Sequence, residues 1–307
     1  MLYDGVMRHY FKFMARWALV AGVLLAMSAA AQEATLLPGP GSVQLKAWHY
    51  KPSGDAASPK PVVIALHGCG GLYATTGARK GQLNARHHAM GQMLQEQGYH
   101  AIFPDSFGSR GIEGICSEAQ RLANGVRVTT DDRRADTLAA LAWVRKQAWA
   151  DVQRNNIALL GWSNGGITLL AATDAGHSAV QASGMPFKTA IAFYPGCVDA
   201  SRTGYRPNTS LTMLLGADDD WTLPGPCIAL GERLQRQGHK VTVKVYEGAV
   251  HDFDTPLPGL RTRPDIPSRS PARAGQGVQV GQNPAAREDS WALVRAVLRE
   301  RFSGEER

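Results

Sequence analysis

Charge is scarce in this chain: charged residues make up 19% of it and nowhere do five like charges stand together. A disordered polyelectrolyte tail is therefore excluded, as are coiled-coil and collagen-like chains. Aromatic residues are also few, at 7%, and none interleave with basic residues along a strand. The net charge of +7 over 307 residues then reads as a mildly basic solvated surface, with no nucleic-acid partner. Only four cysteines occur, and none stands in a CxxC pair, so neither a metal cluster nor a dithiol redox motif is expected. What remains is 44% hydrophobic, enough for a sizeable core in one domain.

The first 31 residues read as a signal peptide. Arg16 precedes the apolar run Trp17 to Met27, and Ala29-Ala30-Ala31 forms a small-residue cleavage site before Gln32. Translation from Met7 or Met14 would shorten the long stretch ahead of that run. The run is too short for a stable membrane anchor and no cysteine follows it, so no lipid anchor is expected either. The mature chain, 32–307, is expected in the periplasm or outside the cell as a single domain.

An oxidising compartment changes the meaning of Cys69, Cys116, Cys197 and Cys227. An even number of widely spaced cysteines suits two disulfides, the alternative being free buried thiols. The element order below favours Cys69–Cys116 and Cys197–Cys227, because each pair falls on loops at one end of the same sheet.

Beyond residue 40 strands and helices alternate. Ser42 to Tyr50 has strand periodicity, and Pro61 to Leu66 is a β-branched run of the kind buried in a parallel sheet. Strands are also predicted at 99–104, 157–160, 189–194, 211–215 and 241–246. Helices are predicted at 83–97, from Thr130 or Asp131 to about 149, and at 165–173, 227–237 and 286–302. This order implies an α/β fold: a mostly parallel central sheet with helices on both faces. Residues 256–284 hold six prolines and four glycines and show neither period, so they read as a long loop, either a surface excursion or a flap beside the site.

Three strand ends carry chemistry. Gly161-Trp162-Ser163-Asn164-Gly165-Gly166 follows one strand and opens a helix, the context of a nucleophile elbow, in which glycines permit a turn that exposes the serine. A serine hydroxyl needs a base and a group to orient that base. Of the histidines after Ser163, His177 and His239 fall at the wrong ends of their elements, which leaves His251. The acid belongs after the strand 211–215, where Asp218, Asp219 and Asp220 are adjacent; the spacing from Gly216 selects Asp219, with Asp220 the alternative and Asp218 structural. Oxyanion donors are expected from the Asn164 amide and from His67-Gly68-Cys69-Gly70-Gly71, where Cys69 is the best-placed residue.

In this order HGCGG, PDSFGSRG, GWSNGG, FYPGC, GADDDW and GAVHDFD resemble the dienelactone hydrolase family of α/β-hydrolases, over nearly all of residues 42–302. The resemblance implies the α/β-hydrolase fold, hydrolysis of esters or lactones, and no metal or organic cofactor. It places Ser163, Asp219 and His251 at the triad positions. The chain departs from the best-known members, which carry cysteine where Ser163 stands, and is more similar to exported serine-type members.

The expected function is hydrolysis of a small carboxylic ester or lactone through a Ser163–His251–Asp219 triad and an acyl-enzyme. A peptidase of the same fold and a non-catalytic binding protein are the alternatives. The first usually has a cap that this chain has little room for; the second would be expected to have lost a triad residue or the oxyanion glycines, all of which stand here. Trp162, Tyr194 and Trp221 are candidates to line an acyl pocket. Arg110 is the candidate for an anionic substrate group, from a set with Arg79, Arg202 and Arg206 on loops at the same end.

Overall fold

A computed structural model describes residues 32–52, 58–125, 127–184 and 187–304. The predicted signal peptide lies outside the described residues. In chain order the strands are β1 (Glu33–Pro38), β2 (Gln44–Tyr50), β3 (Val62–Leu66), β4 (His100–Pro104), β5 (Ile157–Trp162), β6 (Thr189–Phe193), β7 (Ser210–Gly216) and β8 (Val241–Tyr246). They form one sheet in the order β1-β2-β4-β3-β5-β6-β7-β8. The β1–β2 and β2–β4 pairs are antiparallel and every other pair is parallel.

The central strands are apolar at every position because both faces are covered. On β3, Val62, Ile64 and Leu66 enter one core layer, and Val63 and Ala65 the other. The first layer packs under helices α3 (Thr130–Val144), α4 (Asn164–Ala172) and α7 (Pro224–Arg236) through residues such as Leu141, Leu169 and Leu230. The second packs under α1 (Ala85–Glu96) and α8 (Pro284–Ser303) through Met90, Leu94, Trp291 and Leu298. Short helices α2 (Glu118–Ala123), α5 (Ser178–Ala182) and α6 (Val198–Arg202) complete the α-helices among the described residues. Helix α3 is capped by Thr129, whose hydroxyl accepts from Asp132 N while the Asp132 carboxylate accepts from Thr129 N, and it ends at Val144, short of the predicted end near 149.

Several features differ from expectation: strand β1 and the short helices α2, α5 and α6 form where no element is predicted. Helix α2 opens with a Ser117–Gln120 capping box. Residues 256–284 are not a structureless loop: β9 (Leu260–Pro267) and β10 (Gly277–Gly281) form an antiparallel hairpin with an irregularity at Gly277 and Val278. Its period was invisible because β9 is mostly exposed and carries Pro264 and Pro267. The hairpin rests on the Cys69–Cys116 region, where Ile266, Val278 and Val280 pack with Cys116. Among the described residues no helix is long and apolar enough to cross a membrane.

Candidate active site

The turn after β5 explains its glycines sterically. A Cβ on Gly165 would stand 2.1 Å from Leu66 O, and one on Gly161 would stand 2.5 Å from Gly165 O. Between them Ser163 adopts φ 53°, a conformation rare for a residue with a side chain, and the Ser163 amide donates to Phe193 O at 2.9 Å. The backbone is thereby held with the hydroxyl at the exit edge of the parallel sheet.

Two further strand ends meet it there. The loop after β7 and the loop after β8 are tied by Asp218 N donating to Ala249 O at 3.0 Å. Gly216 lets them close, since a Cβ there would stand 2.3 Å from Ala249 O. The result is a chain of contacts: His251 Nε2 lies 3.0 Å from Ser163 Oγ, and His251 Nδ1 lies 2.7 Å from Asp219 Oδ2. Asp219 is held in turn by the Trp221 and Thr222 amides, both donating to Oδ1 at 2.9 Å, and by the Thr222 hydroxyl donating to Oδ2 at 2.8 Å. With Nδ1–H donating to Asp219, Nε2 is left as the acceptor facing the serine.

His251 is 1% exposed. Burial alone would discourage its charging, but the charge and hydrogen bond of Asp219 outweigh this and hold the imidazole pKa above its ordinary value. His67 and His87 are buried with no carboxylate in hydrogen-bond distance, Asp105 Oδ1 standing 3.8 Å from His67 Nε2: burial, reinforced by Arg133 and Arg86 respectively, pushes His67 well below the usual range and His87 down to about 3. Both are neutral, and His67 turns its Nδ1 to Gly68 O.

The neighbouring carboxylates have separate partners. Asp220 faces away from His251: its Oδ2 accepts from Ser268 Oγ at 3.0 Å and Arg273 Nε at 2.8 Å, and its Oδ1 from Gln279 N at 2.9 Å. It therefore anchors the β9–β10 hairpin, which also reaches His251 directly through Gly281 N donating to His251 O at 3.0 Å. Asp218 is exposed.

The loop after β3 runs beside the serine. A Cβ on Gly68 would lie 3.6 Å from Ser163 Cβ, and the Cys69 and Asn164 amides donate to no other described residue. Both disulfides are formed and open onto the same cleft: Cys69–Cys116 ties the loop after β3 to the segment before α2, and Cys197–Cys227 ties the loop after β6 to α7.

The cleft has two lobes that meet at Ser163. One, of about 240 Å³, is the more apolar of the two, with Ile115, Ile167, Val198, Trp221 and Leu223 in its wall beside Asn164, Thr222, Arg121 and Arg269. The other, of about 130 Å³, is polar and includes Arg86, Asp252 and Arg263. Trp221 lines both and its ring lies 4.7 Å from that of His251.

Three expected substrate contacts are placed elsewhere. Arg110 is spent on Asp136, through two hydrogen bonds of 2.8 Å, and does not line the cleft. Trp162 and Tyr194 are buried beneath the site, where Trp162 Nε1 and Tyr194 Oη both donate to Asp254, at 2.8 and 2.6 Å. They support the elbow and the histidine loop instead of touching a ligand, because an inward strand position and a positive φ at Tyr194 direct both rings into the core. Arg79 binds Leu83 O, and Arg202 and Arg206 lie on the exposed surface away from either lobe. Sequence reasoning missed Thr222, Asp254, Arg86, Arg121 and Arg133; only Thr222 and Asp254, beside or within GADDDW and GAVHDFD, carried a local signal.

The matching family model, described as the dienelactone hydrolase family, covers residues 45–302, which include every residue of this site. The chain belongs to the dienelactone hydrolase family. It is, accordingly, an ester or lactone hydrolase. Solved structures agree in fold. A dienelactone hydrolase-like promiscuous phosphotriesterase, P91, from metagenomic libraries shares 20% identity and a TM-score of 0.62, covering 88% of this chain and 98% of that one. Esterase 2 of Thermogutta terrifontis, phosphoramylated by tabun, shares 18% identity and a TM-score of 0.58, covering 88% and 94%. No curated protein matches the sequence.

Proposed function

We propose that this member of the dienelactone hydrolase family cleaves small carboxylic esters or lactones by way of a Ser163 acyl-enzyme. The observation that carries the reading is the unbroken Asp219–His251–Ser163 series at 2.7 and 3.0 Å, in a site open to a cleft of small-molecule size. His251 takes the Ser163 proton as the oxygen attacks the carbonyl carbon, and Asp219 stabilises the resulting imidazolium. The amides of Asn164 and Cys69 receive the oxyanion. Collapse of the tetrahedral species expels the alkoxide, which leaves with the proton from His251. Water, deprotonated by His251, then attacks the acyl carbon, and the serine departs as the hydroxyl.

The apolar lobe suits one side of the ester and the polar lobe the other. Trp221, standing at their junction, is the residue of the expected acyl-pocket set that remains in contact with the cleft. Export to an oxidising compartment is part of the same proposal, supported by the two disulfides.

The test is intact mass after exposure to a fluorophosphonate, on residues 32–307 and on Ser163→Ala and His251→Ala. One adduct on the wild-type protein, absent from both variants, is expected. An unlabelled, folded wild-type protein, or a labelled Ser163→Ala, would overturn the reading.

A further inference from the structure

Arg133, on the inner face of α3, is 2% exposed, and it has no counterpart among the motif residues. Its Nη2 donates to His67 O at 2.7 Å, and its Nη1 donates to the Asn164 side-chain oxygen. Those two acceptors belong to the two separate segments that carry the free amides beside Ser163. His67 begins the glycine-rich loop that leads to Cys69, and Asn164 begins α4. Where the segments touch there is no side chain to interlock them, because Gly165 leaves no room for a Cβ against Leu66 O and His67 O. The guanidinium is thus a bracket across a joint that is otherwise backbone on backbone.

The bracket is also charged, with no carboxylate of its own. Asp136 is engaged by Arg110 through two hydrogen bonds, and Asp105 accepts from the Phe107 and Gly108 amides at 3.1 and 2.7 Å. Arg133 Nε has no acceptor among the described residues, and the Phe107 ring lies with its centroid 5.0 Å from the guanidinium carbon. Burial pushes the Arg133 pKa down to about 10, with Asp136 and Asp105 opposing and Arg110 reinforcing the shift, so the group is still a cation near neutral pH. Burying a cation without a paired anion is expensive, and a neutral donor would serve a purely structural bracket as well. An anion that forms in front of the two amides during turnover would add to the countercharge that Asp136 and Asp105 supply without hydrogen-bonding to the guanidinium, in surroundings where water screens little.

We infer that Arg133 is a positioning residue of the oxyanion site: it holds the Asn164 and Cys69 amides convergent from behind and sets a buried positive charge near the oxyanion they bind. The inference rests on the Ser163 reading above. It requires the effect of Arg133 to fall on the transition state and not on substrate binding, since the guanidinium does not line the cleft.

The test compares Arg133→Met, Arg133→Lys and Arg133→Ala with the wild-type chain in ester hydrolysis and in the rate of Ser163 labelling by a fluorophosphonate. Arg133→Met is expected to lower kcat about 10²-fold with KM nearly unchanged, and to slow labelling in parallel. Arg133→Lys, which retains the charge with a poorer fit, is expected to lie between the two. Millimolar guanidinium is expected to restore part of the Arg133→Ala rate, and urea, of the same shape without the charge, is not. Asn164→Ala removes one arm of the bracket and no backbone donor, and is expected to lower kcat about tenfold even if the Arg133 variants fail to fold. A wild-type kcat in Arg133→Met or Asn164→Ala, a loss confined to KM, or equal rescue by urea and guanidinium would overturn this inference alone. Absence of labelling in the folded wild-type chain would overturn the triad reading and this inference with it.

Discussion

Two adjacent carboxylates, Asp219 and Asp220, are expected to answer the same substitution in opposite ways. In Asp219→Asn the amide presents an N–H toward His251 Nδ1, which turns the imidazole to the tautomer whose Nε2 carries the proton and faces Ser163 Oγ. The base is then lost and the imidazolium loses its stabilising charge, so kcat is expected to fall about 10⁴-fold, or about 5 kcal/mol of barrier. The fold survives, because Oδ1 of the asparagine still accepts from the Trp221 and Thr222 amides. Asp220→Asn leaves the triad distances alone and weakens the hairpin anchor. The Asp220 carboxylate is 3% exposed and Arg273 27%, so solvent screens part of the pair. Its loss is expected to cost about 2 kcal/mol, or a Tm lower by about 5 °C, with kcat changed only a few-fold. Steady-state kinetics on a chromogenic acetate ester, thermal melting, and proteolysis between residues 256 and 284 separate the two outcomes. If Asp220→Asn loses as much kcat as Asp219→Asn at unchanged Tm, or if Asp219→Asn stays within about tenfold of wild type, the division of labour drawn from the contacts is wrong.

Because Asp219 holds His251 above the ordinary histidine pKa of 6.5, and the imidazole must be neutral to act, kcat/KM is expected to decline as pH falls through a midpoint above that value. The same raised pKa contributes stability that is full below the unfolded-state value and lost as pH rises through the folded one, so activity and this contribution move oppositely; a pH–rate profile beside melts in the same buffers checks both. The mature protein is expected to lack four hydrogens by mass. Reducing Cys69–Cys116 or Cys197–Cys227, with sequence separations of 47 and 30, is expected to cost about 4 kcal/mol each on chain entropy, read as a lower Tm with a phosphine reductant. Gly165→Ala, whose Cβ would stand 2.1 Å from Leu66 O, is expected to lose about 3 kcal/mol or more together with all fluorophosphonate labelling. Retention of either property would show that the elbow can relax.

Strands β2 to β8, the principal helices and the family were legible because each is written in consecutive residues; the mostly exposed β1 was not. Apolar runs such as Val62–Leu66 report burial on both faces, and GWSNGG reports a turn whose glycines are required by clearances within the turn and to the neighbouring strand. Ser163 and His251 followed from motif and strand order alone. The hairpin at 260–281 was not legible, since β9 is mostly exposed and interrupted by proline, β10 is only five residues long, and the pair is stabilised by distant partners at Asp220 and His251. For the same reason Arg110, chosen for its place on a loop at the correct end, is consumed by Asp136, while Arg121, Arg263 and Arg269 come to the cleft from α2 and the hairpin.

Sequence by itself determined the alternation of buried and exposed positions, the elbow, and which residue types stand at the exit edge of a parallel sheet. Tertiary structure turned the choice of Asp219 over Asp220, which spacing only favoured, into a contact with His251, and it alone decided which arginines line the cleft and that Arg133 joins the two segments flanking Ser163. The physical reason is the range of the forces. Backbone sterics and apolar periodicity act over a few residues along the chain, whereas a charge or a hydrogen bond is settled by whichever partner the fold brings within 3 Å, however far apart the two lie in sequence.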